Sequence, residues 1–150
     1  MIGELVMLLA GLMTLTVAAA AEELAPRFAA VGLPLLLAAA AVVARRRSVP
    51  VAIAFALAAG ALEDSLSSLA PGCAAVYFMA AAALTSLEAV PTPVLWLLYP
   101  VFQIWLAVWM RVTIAELFVR MLVAVPLGAA AILLMTWFVR YLDRKAAIDA

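Results

Sequence analysis

Six apolar stretches, nearly free of internal charge, follow one another along the chain, and this pattern constrains the fold more than any other feature of the sequence. A helix needs roughly 20 apolar residues to cross a hydrocarbon core of about 30 Å, so 150 residues have room for six or seven crossings with short loops. The stretches fall at 2–21, 28–44, 50–62, 71–90, 92–110 and 121–141. Hydrophobic residues make up 71% of the chain and charged ones 12%. A water-soluble domain has about 45–50% and about 25%, so this chain has too little polar surface to cover itself in water. The expected fold is an all-α, polytopic integral membrane bundle of about six helices, forming a single domain over 1–150.

Composition also removes whole classes of function. Nine basic and nine acidic residues cancel, which leaves no clustered cationic surface for nucleic acid. The absence of histidine argues against most zinc sites, haem ligation and imidazole acid–base relays. Cys73 is the only cysteine, so neither an internal disulfide nor a thiolate cluster is expected. Glu22, Glu23 and Arg27 fit the E-E-x-x-x-R string of membrane CAAX-type proteases, but that chemistry activates water beside histidines. No catalytic residue, cofactor or metal is assigned.

Orientation follows from the arginines. With a cytoplasmic N-terminus and six crossings, Arg45, Arg46, Arg47, Arg140, Arg144 and Lys145 fall on the cytoplasmic side, while Arg27, Arg111 and Arg120 fall outside. The positive-inside rule then places both termini in the cytoplasm. The first stretch reads as a retained span and not a signal peptide, because Glu4 and no Lys or Arg precedes Arg27. The six cytoplasmic cations serve topology and contact anionic lipid headgroups. Glu88 lies on the same side and is a candidate partner for the Arg45–Arg47 cluster. Pro100 and Pro126 are expected to kink the fifth and sixth spans, and 111–120 reads as a separate amphipathic segment at the interface, with Glu116 and Arg120 paired at i,i+4.

The third span carries the most pointed pattern. Ala52, Ala56, Gly60 and Asp64 recur every four residues, which puts three small residues and one acid on a single face. In lipid such a face lets another helix, of this bundle or of a partner, approach closely. Ala59 is expected on a different face. Asp64 has three readings: pairing with backbone N–H groups or hydroxyls at the start of span four, a functional contact, or plain solvation. Ser65, Ser67, Ser68, Pro71 and Gly72 form the turn after it. Gln103, the sole amide, is expected to bond a neighbouring helix, and the stripe Phe102, Trp105, Trp109 to face lipid or a partner.

These residues resemble a known family. The run Leu33-Pro34-Leu35-Leu36-Leu37, the arginines at 45–47, a span closing on G-x-x-x-D at Gly60 and Asp64, the serine-rich turn and Pro71-Gly72 before an Ala/Leu helix are similar to the rod shape-determining protein MreD family. The likeness covers about residues 30–87 by motif, although Ala61 stands where the family has leucine and Glu63 adds a second acid. It implies a non-enzymatic scaffold in the bacterial inner membrane, serving the machinery that builds the lateral cell wall. Its implied partners are an MreC-like single-span protein and, indirectly, MreB, RodA and a penicillin-binding protein. The implied fold is like that of the six-helix S component of energy-coupling-factor transporters. That likeness supplies the alternative, a vitamin-binding transporter subunit, which needs polar groups converging among the spans; the chain has no Asn, no His and one Gln. An accessory subunit of another membrane complex is a third reading.

Overall fold

The computed structural model describes residues 2–25, 31–67, 70–87 and 90–148. Among them seven helices form: α1 (Ile2–Leu24), α2 (Leu35–Arg46), α3 (Val49–Leu66), α4 (Cys73–Thr85), α5 (Thr92–Leu95), α6 (Leu98–Met110) and α7 (Ile114–Ile148). Four segments are long and apolar enough to cross a membrane, within α1, α3, the α5–α6 pair and α7. The protein is an all-helical bundle with the helices of a multi-pass membrane protein.

At the centre is α2. Its residues Leu35 to Ala44 are all buried, and it touches α1, α3, α4 and α7. A helix apolar on every side belongs inside, and the run Ala38 to Ala41 is small enough to admit neighbours all round. At 12 residues it is about 18 Å long, shorter than the span expected at 28–44. Pro34 sets its start, because the residue before a proline is driven to extended backbone, and Val31 to Pro34 approach it without helix.

The fourth span is also shorter than expected, and the fifth carries a break. Helix α4 stops at Thr85, where the hydroxyls of Thr85 and Ser86 donate to the carbonyls of Ala82 and Ala83. The expected span at 92–110 breaks at Trp96 and Leu97. Pro100 has no N–H for the carbonyl four residues back, and its ring crowds that carbonyl. The interruption therefore falls at Trp96, and Pro100 itself lies in the first turn of α6. Helix α6 ends on Arg111 in the left-handed region, φ +50°. The segment 111–120 is no separate interfacial helix: after a short turn it forms the first turns of α7, which continues unbroken through Pro126 for 35 residues.

Charged side chains define two ends. At one, Arg45 donates to the carbonyl of Val90, Arg46 pairs with Asp143, and Arg47 bonds Asp143 at 2.8 Å and the Met7 sulfur at 3.5 Å. At the other, the carboxylates of Glu22 and Asp64 meet the starts of α2 and α4. Among the described residues the helices lie between these two ends.

Candidate functional site

Asp64 sits in the last turn of α3 and accepts three backbone N–H groups from the start of α4. These come from Gly72 at 2.9 Å, Ala74 at 2.8 Å and Ala75 at 3.3 Å. The first turn of any helix has N–H groups without intrahelical partners, and α4 has no side-chain cap of its own. The carboxylate supplies one and opposes the positive end of the helix dipole. Gly72 takes φ +88° with open space around it, so the turn needs glycine for its backbone and not for room. Ser65 and Ser67 bond back to the carbonyls of Ala61 and Glu63 in their own helix. Pro71 is exposed in the turn, and Ser68 lies outside the described residues.

One turn before Asp64, Gly60 packs against α4 backbone. A Cβ there would come within 2.7 Å of the Ala75 nitrogen and 3.0 Å of the Ala74 carbonyl carbon. Ala52 and Ala56 are 0% exposed. The small-residue face is thus closed inside the bundle, and the helix that approaches at Gly60 is α4 of the same chain. Ala59 is 0% exposed as well, so it is a core position and not a permissive one.

A mirror of the Asp64 cap occurs at α2. Glu22, in the last turns of α1, accepts the N–H of Leu36 at 2.9 Å, and Pro34 at the N-cap offers no side-chain bond. The carboxyl groups of Glu22 and Glu63 are in hydrogen-bonding contact. Around this pair opens a cavity of about 250 Å³. Its polar lining includes Glu22, Glu23, Glu63, Gln103 and Arg120, and its aromatic wall is Phe78, Tyr99 and Phe102.

Two lining groups have unused hydrogen-bonding capacity. Gln103, 4% exposed, makes no hydrogen bond to a described residue, contrary to the helix-to-helix bond expected of it. Arg120 donates to Glu116 at 2.6 Å, while its Nε is buried without a partner. The objection to a ligand site, that the chain lacks converging polar groups, does not hold for this geometry. Sequence reasoning missed the cavity because Glu22, Glu23, Glu63, Gln103 and Arg120 come from α1, α3, α6 and α7, and no local pattern links them.

Elsewhere the expected residues separate. Arg46 and Arg47 share Asp143, which had not been singled out, and Glu88 lies outside the described residues. Arg140, Arg144 and Lys145 are exposed, with the Lys145 ammonium 5.9 Å from the Tyr141 ring centre. The aromatic stripe is no uniform lipid face. Phe102 is buried against Tyr77 and Phe78, Trp105 donates to the Cys73 carbonyl at 3.0 Å, and only Trp109 is exposed.

A second, apolar hollow of about 350 Å³ lies among α1, α3 and the end of α7. Ala10, Gly11, Ala54 and Phe55 line it, with Arg47 and Asp143 at one end. No sequence family, curated protein or solved structure matches the chain.

Proposed function

We propose that the chain is a non-enzymatic membrane scaffold of the MreD type, with an S-component-like arrangement of six crossings, both termini in the cytoplasm and residence in a bacterial inner membrane. Its task is to hold a single-span, MreC-like partner and, through it, MreB, RodA and a penicillin-binding protein in the lateral-wall machinery. The observation that carries the reading is the apolar hollow along α1 and α3. Small residues on two adjoining helices let a third helix approach closely, where packing and not the hydrophobic effect drives association. Around Gly11 the only neighbour among the described residues that a Cβ would meet is Phe55, at 4.0 Å, so the site has room for a partner helix. The residues that carry the family resemblance, Gly60, Asp64, Pro71 and Gly72, make one closed structural unit, which supports the same reading.

Co-expression with a tagged one-span protein bearing a coiled coil tests it. Wild-type chain is expected to co-purify with that partner, and Gly11→Leu, which fills the hollow, to reduce recovery at least tenfold while unfolding at the wild-type temperature. Equal recovery of both would remove the hollow as the docking place. The polar cavity favours a second reading, a substrate-binding transporter subunit; co-purification with an ATPase module in place of the one-span protein would select it.

A further inference from the structure

We infer that the cavity between Glu22, Glu63, Gln103 and Arg120 is a binding site for a small zwitterion carrying a primary ammonium group and an anionic oxygen. The inference stands apart from the docking hollow and holds whether the chain serves as scaffold or transporter subunit.

The argument begins with Gln103. A primary amide has two donors and an acceptor with two lone pairs, and burying such a group without partners costs free energy. In a helix as apolar as α6, an amide is accommodated only where its polar atoms meet something in the cavity. Gln103 is 4% exposed, bonds no described residue and lines the cavity. An amide so placed fits a site that is completed by something other than the chain.

Arg120 makes the same point with charge. Its side chain is 13% exposed and its terminal nitrogen is held by Glu116, yet its Nε donor is buried and unused. Arg120 and the Gln103 amide both line the cavity, and guanidinium and amide N–H groups suit an anionic oxygen, a carboxylate or a phosphate. Glu22, Glu23 and Glu63 supply carboxyl oxygens to the same cavity, and these suit an ammonium. Phe78, Tyr99 and Phe102 add aromatic faces, which favour a cation or the apolar remainder of a ligand. A ligand with both charges meets both sets of groups, whereas a simple cation leaves the Gln103 amide without a partner and a simple anion meets the carboxyl groups.

Size sets a bound. The cavity of about 250 Å³ equals the volume of about eight waters at ~30 Å³ each, which suits an amino acid or the phosphoethanolamine headgroup of a lipid. Both carry the required pair of charges, and the cavity lies at the bundle end opposite the arginine cluster, where a headgroup has access.

The test uses purified full-length chain, with tryptophan fluorescence and thermal unfolding as readouts. One arm titrates L-phenylalanine and O-phosphoethanolamine into protein in a non-ionic detergent. The other compares nanodiscs of phosphatidylethanolamine with nanodiscs of phosphatidylglycerol. Saturable binding of a soluble zwitterion, or a higher unfolding temperature in phosphatidylethanolamine alone, is expected. The amino acid acting alone would identify a free solute, and the ethanolamine probe and lipid acting together a headgroup. Gln103→Leu is expected to weaken binding at least tenfold while leaving the unliganded unfolding temperature unchanged or higher, a pairing that a structural glutamine would not give. Glu63→Gln, which keeps shape and removes charge, is expected to weaken the ammonium-bearing probes similarly. No saturable binding in either arm, or equal affinity in wild type, Gln103→Leu and Glu63→Gln, would overturn the assignment.

Discussion

Gly60 lies directly under the backbone of Ala75, so close that a Cβ on the glycine would reach within 2.7 Å of the Ala75 nitrogen. The start of α4 is therefore seated on α3 by backbone contact, and the Asp64 carboxylate, one turn further on, holds the same segment through its N–H groups. Packing and capping act on one joint.

Gly60→Ala is expected to destabilise the bundle by at least the ~1–3 kcal/mol typical of overpacking, because the obstructing atoms are backbone and cannot rotate away. At Gly128 a Cβ would meet the Tyr99 Cβ at 2.9 Å, an atom fixed to the α6 backbone, so Gly128→Ala should also destabilise the bundle, though less than at Gly60, where the approach to backbone is closer. Gly11→Ala should be neutral. Thermal unfolding in one detergent ranks all three; Gly60→Ala at wild-type stability would show that the joint is loose.

Asp64→Ala removes an acceptor used by three N–H groups. Loss of a helix cap costs ~0.5–2 kcal/mol, and leaving buried donors unsatisfied adds to it. Hydrogen exchange should accelerate at Ala74 and Ala75 ahead of the rest of α4, and Asp64→Asn, which keeps an acceptor oxygen, should recover part of the protection. Uniform acceleration across the bundle would point to a general loss of packing instead.

Much of this joint is legible in the sequence. The i+4 spacing of Gly60 and Asp64, with a serine-rich turn and Pro71-Gly72 after it, already says that the acid stands near the next helix start. The alanine run at 38–41 likewise announces close packing, though not that α2 is central. What escapes is whatever depends on distant chain segments. Glu22 and Glu63 meet only because α1 and α3 end side by side, and Gln103 and Arg120 join them from α6 and α7. The fifth span opens at Trp96, one turn before Pro100, for a local reason: the proline disrupts the bond to the carbonyl of Trp96. Arg46 and Arg47 find Asp143, almost a hundred residues on, while Glu88, placed on the same side by the topology, lies outside the described residues.

Asp143 links α7 to the end of α2 through Arg46 and Arg47, with each partner about one-third exposed. Ion pairs this accessible contribute little, ~0–1 kcal/mol, and are screened by salt. Asp143→Asn is expected to lower stability slightly at low ionic strength and to match wild type at 1 M salt. A large, salt-independent loss would mean that Asp143 holds α7 by packing.

The two ends defined by Arg45–Asp143 and by Glu22–Asp64 should lie on opposite sides of the membrane, with the arginine end inside. Reporters fused at Ala150 and inserted near Ser67 are expected to give opposite responses, cytoplasmic for Ala150. Matching responses would contradict the alternating passes.

The scaffold reading is tested most directly by placing a photo-crosslinking residue at Gly11, in the hollow, and separately at Val108, on the exposed face of α6, in cell membranes that also contain the one-span coiled-coil partner. The account expects a crosslink to the partner's transmembrane helix from position 11 and none from position 108. Crosslinking from 108 alone, or from neither position, would contradict it.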